Sequence, residues 1–185
     1  MPRTFTHVKT LFTFDELSKE AQEKAIEELW DCNVDYDWWD ATYESAATIG
    51  LEITEFDTDR GTIRGDLTES LLDCCKLIRK NHGKECDTFA TAKQYLTEYI
   101  KAFKKDDWKE DMDLEDYTPV ELLTEFGMYD EAADVENDFK KALLEDYLVI
   151  LRKEYEYLTG EEAIKETIKA NDWYFNAEGK LHGCL

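Results

Sequence analysis

From Asp130 to Leu158 the chain runs without a glycine or a proline. Within that stretch Val135, Phe139, Ala142, Leu143, Tyr147, Ile150, Leu151, Tyr155 and Leu158 recur close to every 3.6 residues, the period that keeps apolar side chains on one helix face. The pattern predicts one long helix over 130–158. At about 1.5 Å per residue its 29 residues span roughly 43 Å. Gly160 breaks it, Glu161 to Ala170 form a short last helix, and WYFNAEGKL reads as a terminal hairpin turning at Glu178 and Gly179.

Ahead of the long helix the signals alternate. Phe5 to Phe12 mixes Thr, Val and aromatics without helix caps and predicts a strand that docks the N-terminus into a sheet. Ser18 caps a helix through about Cys32, with Ala21, Ala25, Ile26 and Leu29 on one stripe and Glu20, Glu23, Glu27 and Glu28 facing outward. A second helix is expected from Asp35 to Ile49, with Gly50 as a left-handed C-cap. Leu51, Ile53 and Phe56, then Ile63, predict a hairpin turning at Asp59, Arg60 and Gly61. Asp66 or Thr68 opens a helix through about Arg79, with Gly83 beyond its end, and another helix starts at Thr88. Thr118 and Pro119 read as the N-cap and first turn of a short helix ending near Gly127. The expected fold is therefore α+β, a single domain over 1–185, mostly helical. Its small antiparallel sheet would combine the N-terminal strand, the central hairpin and the C-terminal hairpin.

Charge narrows the function. Against 22 Lys and Arg stand 44 Asp and Glu, a formal charge of −22, which argues against a basic face for nucleic acid or an anionic membrane. The first thirty residues hold no leader pattern and no apolar run approaches the ~18 residues of a membrane span, so the expectation is a soluble, intracellular protein. The acids are unevenly placed. Residues 15–59 carry fifteen acids against Lys19 and Lys24, and 106–138 carry fourteen against Lys109, whereas 66–105 carry six acids and eight bases. Such blocks serve either as solvated helix faces or as a surface imitating a phosphate backbone. On the second reading the candidate partner-binding residues are Asp106, Asp107, Glu110, Asp111, Asp113, Glu115 and Asp116, then Asp130, Glu131 and Asp134, with a further patch at Asp35, Asp37 and Asp40. Trp39 is the candidate aromatic anchor. Trp38 and Trp39 would point about 100° apart on a helix, so one of the two packs under a loop or stands exposed.

Chemical motifs are sparse. DMDLED (Asp111, Asp113, Glu115, Asp116) has the alternating acids of a calcium loop, but Asp116 stands where that loop needs glycine and Leu122 where it needs glutamate. Asp57 and Asp59 offer a Mg²⁺ pair, or ordinary turn chemistry. Cys74, Cys75, His82 and Cys86 supply zinc-type ligands at a spacing that fits no tetrahedral pattern, and Cys75 falls on an apolar stripe. Five cysteines with no CxxC pair indicate reduced thiols. GxSxG, P-loop, GxGxxG and HExxH signatures are absent, so no catalytic residue, metal or cofactor is assigned.

Four stretches, FTFDELSKEAQEKAIEE, ITEFDTDRGTIRGDLTES, KNHGKECDTFATAKQYL and DYLVILRKEYEYLTGEEAIKETIKANDWYF, resemble a family of small acidic bacteriophage and prophage proteins, loosely described as antitoxin-like. The resemblance covers more than half the chain and implies a mobile-element origin, with no catalytic residue to carry over. It implies an anti-defence role, such as an anti-CRISPR or anti-restriction inhibitor, some of which imitate DNA. The leading expectation is a non-catalytic protein that binds a positively charged, nucleic-acid-handling protein such as a CRISPR effector, as a monomer or a homodimer. The alternatives are an antitoxin, signalled by a small basic toxin gene alongside, and a metal-dependent hydrolase acting through Asp57 and Asp59.

Overall fold

The computed structural model describes residues 8–103 and 129–184. Among them the chain forms six α-helices and two antiparallel sheets, an α+β fold. No described helix is long and apolar enough to cross a membrane. The chain divides into two compact units, Met1–Trp38 with Lys153–Leu185, and Trp39–Arg152, where the sequence reading treats it as one domain. The charge blocks do not follow this division, since the acidic block 15–59 contributes to both units.

The first unit is built on strand β1 (Phe12–Thr13), a 3-10 turn at Phe14–Glu16, and helix α1 (Lys19–Glu28). The expected strand over Phe5 to Phe12 is thus confined, within the described part, to a two-residue pairing in which Phe12 lies opposite Phe175. Ser18 caps α1 as its sequence promises, its hydroxyl accepting the Ala21 N–H at 3.3 Å. The helix ends at Glu28 rather than near Cys32, because the chain then closes successive turns, Cys32 N–H to Leu29 C=O and Val34 N–H to Asp31 C=O. The same unit contains the end of α5 (Tyr129–Leu158), then α6 (Glu161–Ala170) and the hairpin of β4 (Trp173–Phe175) and β5 (Leu181–Cys184). The sheet order is β1-β4-β5. Its core joins Phe14, Leu17, Ala21, Ala25, Ile164, Ile168 and Phe175, with the Phe14 ring meeting Phe175 edge-on at 6.3 Å.

The second unit holds α2 (Asp40–Ala47), β2 (Leu51–Asp57), β3 (Thr62–Leu67), α3 (Leu71–Asn81), α4 (Asp87–Phe103) and the larger part of α5. Helix α2 starts five residues later than the expected Asp35, and Gly50 follows it at φ +79, the left-handed position anticipated for it. The hairpin pairs Leu51 with Leu67 and Phe56 with Ile63, and its register slips between Ile53 and Glu55. That bulge explains why the apolar residues fall at 51, 53 and 56, out of strict alternation. Gly65 sits opposite it, where a Cβ would lie 2.3 Å from the Glu52 carbonyl oxygen, so no side chain fits. Because β3 runs on to Leu67 and the Thr68 N–H still bonds the Gly50 carbonyl at 2.9 Å, α3 opens at neither Asp66 nor Thr68. Ser70 caps it instead, accepting the Asp73 N–H and donating its hydroxyl proton to the Asp73 carboxylate at 2.8 Å. The hairpin forms a sheet of its own, a correction to the expected three-part sheet. The core gathers Ile49, Leu51, Ile53, Leu71, Ile78, Phe139, Leu143 and Tyr147. Tyr147 is fully buried, and its hydroxyl lies 3.3 Å from the Ser45 hydroxyl.

Candidate protein-interaction surface

Helix α1 separates its residues cleanly. Ala21 and Ala25 are buried, while Glu20, Glu23, Glu27 and Glu28 project into solvent with Lys24. The segment after it carries Asp31, Asp35 and Asp37, all exposed. Two aromatic rings also stand out on this segment, Trp30 at 51% and Tyr36 at 61% exposure. Among the described residues none of these seven carboxylates belongs to an ion pair, whereas Lys140 binds Asp66, Lys141 binds Asp138 and Lys169 binds Asp15 elsewhere in the chain.

Two inward residues hold the loop. Asn33 is buried, its amide nitrogen donating to the Leu158 carbonyl at 2.9 Å and its amide oxygen accepting the Thr167 hydroxyl at 2.6 Å. The Leu158 carbonyl belongs to the last turn of α5, where helix carbonyls lack intrahelical partners, so Asn33 caps a helix end with a side chain from a distant loop. Trp38 is the second anchor, buried with its ring 5.7 Å from that of Tyr155. Residues 30, 31, 35, 36 and 37 are thereby presented outward on a fixed backbone.

The other candidate residues are placed as follows. Asp40 is exposed at the first turn of α2, where a carboxylate also complements the helix dipole. Trp39 precedes that helix instead of lying within it, so the angular argument for the Trp38 and Trp39 pair does not apply. Trp38 is buried, and Trp39 is half-buried with its ring edge-on to Phe56 at 5.5 Å. Asp134 is exposed on α5, and Asp130 and Glu131 lie in its first turn. Asp106, Asp107, Glu110, Asp111, Asp113, Glu115 and Asp116, with the DMDLED motif and the helix expected at Thr118 to Gly127, lie outside the described residues. Sequence reasoning missed Trp30, whose signal was its position just beyond the Leu29 end of the apolar stripe.

The metal and nucleophile candidates are engaged structurally. The Asp57 carboxylate accepts the Arg60 N–H at 2.8 Å, closing the hairpin turn. The Cys74 thiol faces the Gly50 and Glu69 carbonyls, and the Cys75 thiol faces the Ala92 carbonyl at 3.5 Å. Burial pushes both thiols up to about 12, so neither supplies thiolate near neutrality. His82 Nδ1 lies 2.7 Å from the Thr88 hydroxyl, and burial lowers its pKa. Cys86 is exposed. Among the described residues no group of three or more His, Cys, Asp or Glu is arranged to hold a metal ion.

No protein-family model matches the chain. Neither a curated protein nor a solved structure is found to be similar to it.

Proposed function

We propose that this protein is a phage- or prophage-derived, non-catalytic inhibitor that acts in the bacterial cytoplasm by stoichiometric binding to a cationic, nucleic-acid-handling defence protein, a CRISPR effector foremost. The observation that carries the reading is the segment from Glu20 to Asp37, which exposes seven carboxylates, one lysine and two aromatic rings on α1 and on a loop pinned by Asn33 and Trp38. A face kept acidic only for solubility has no use for exposed Trp and Tyr, the residues that dominate protein interfaces.

Charge spacing refines the mechanism. From Glu20 to Glu28 the helix rises about 12 Å and carries four carboxylates against Lys24, a net charge every ~4 Å. Duplex DNA carries one per ~1.7 Å and a single strand one per ~3.4 Å, so α1 matches one phosphate strand and falls well short of two. The acids steer the approach and occupy a groove that one strand would follow, and the aromatics hold the complex once formed.

The test is phage plaquing, with and without this protein, on a panel of strains each carrying one defence system, CRISPR effectors and restriction enzymes included. Plaquing restored in one strain supports the proposal and identifies the pathway. Restoration in none contradicts it.

A further inference from the structure

In the second unit, α3 and α4 flank an open cavity of about 420 Å³, within the ~300–1,000 Å³ range of small-molecule sites. Its apolar lining comes from Phe89, Ala92 and Leu96 of α4 and from Cys75 of α3. The polar lining is entirely cationic: Arg79 ends α3, Lys84 lies in the connecting loop, and Lys93 follows Ala92 on α4. No carboxylate lines the cavity among the described residues. Among the described residues Arg79, Lys84 and Lys93 form no ion pair, so all three are free to meet a ligand. Three exposed cations from three successive stretches of chain thus converge on one apolar cavity.

We infer that this cavity binds a small anionic amphiphile, a ligand with one carboxylate or phosphate head on an apolar body. The body would lie on Phe89 and Leu96 over the Cys75 and Ala92 floor, where transfer from water favours it in proportion to the apolar area covered. The head would meet Arg79, whose planar fork suits a carboxylate or phosphate, with Lys84 and Lys93 as point charges beside it. A neutral ligand would leave the cations unanswered, and a cationic one would be repelled. This site is independent of the Glu20 to Asp37 surface and does not rest on the proposed inhibitor role.

The experiment is calorimetric titration of the full-length protein with decanoate and 1-naphthyl phosphate, and with the uncharged decanol and 1-naphthol as controls. Amide shift perturbations map the site in parallel. The two anions distinguish a carboxylate from a phosphate head, and binding of either one supports the site. The expected result is anion binding that perturbs Phe89 and Leu96, weakens with added salt, and exceeds binding of the matching alcohol by about tenfold or more. The triple variant Arg79→Gln, Lys84→Gln, Lys93→Gln changes only exposed positions and should erase that preference while leaving the fold intact. Equal binding of anion and alcohol, an unchanged preference in the triple variant, perturbations confined to other parts of the protein, or no binding at millimolar probe would each overturn the inference.

Discussion

The Glu20 to Asp37 surface and the α3–α4 cavity solve opposite problems with the same building material. The first collects carboxylates and aromatic rings on a projecting face whose backbone is pinned from beneath by Asn33 and Trp38. The second collects cations around a concave apolar floor. In each, a set of like charges lacks ion-pair partners among the described residues. Net charge alone therefore describes this protein poorly. The distribution of unpaired charge, and whether it gathers on a projecting face or around an apolar pocket, distinguishes the two regions.

Removing the first surface's support should have the largest effect. Trp38→Ala deletes a buried ring packed at a tilt against Tyr155 and is expected to cost about 3–5 kcal/mol in a denaturant titration, with loss of the loop's fixed presentation. The cavity, belonging to the other unit, should keep its ligand preference in that variant under conditions where the protein remains folded. Next is Asn33→Ala, which leaves the Leu158 carbonyl and the Thr167 hydroxyl without their partner and should cost about 1–3 kcal/mol.

How far this comparison was legible in the sequence follows from the range of the interactions involved. The long helix, the hairpins and the Ser18 cap depend on neighbours within a few residues, and their periodicity or cap chemistry announces them. The loop after α1 depends on bonds from Asn33 to residues 125 and 134 positions away, so its pinning had no local signature. Local pattern alone therefore predicts a helix from Asp35 with Trp39 inside it. Asp66 and Thr68 both resemble N-caps, whereas cross-strand pairing of Leu67 with Leu51 and the Thr68 N–H bond to the Gly50 carbonyl hold that stretch extended. The acids of Glu20 to Asp37 were visible as a charge block. The cationic rim was visible only as a slight excess of bases over 66–105, since three residues on different stretches converge only after α3 and α4 pack.

Exchanging single aromatics should sharpen the contrast at a smaller scale. Trp30→Ala is expected to leave stability within about 0.5 kcal/mol of the parent, as for an exposed site, and to weaken partner binding about tenfold. Trp39→Ala, which removes the edge-on contact with Phe56, should lower the melting temperature. A reversal of those two outcomes would move the anchor to Trp39.

The smallest effect concerns the cavity's own helix. Asp146 of α5 accepts the Thr91 hydroxyl of α4 at 2.7 Å, and burial raises its pKa, reinforced by the Asp87 and Glu145 charges although the Thr91 bond opposes the shift. A raised carboxyl binds its proton more tightly in the folded state, so its contribution to stability falls as pH rises from the unfolded value through the folded one. Asp146→Asn retains an acceptor for Thr91 without the charge. It should be more stable than the parent at pH 7, with a flatter pH dependence above pH 4, measured by urea midpoints. A less stable variant at pH 7 would show that the carboxylate is compensated in the folded protein.

The central claim is that an acidic surface takes the place of nucleic acid on a cationic partner. It is tested most directly with the purified effector from whichever strain regains plaquing, by asking whether target DNA and this protein can occupy it together. The account predicts mutual exclusion, with inhibition weakened by salt and by exchanging Asp31, Asp35 and Asp37 for Asn. A stable ternary complex of effector, DNA and this protein, unaffected by those exchanges, would contradict it.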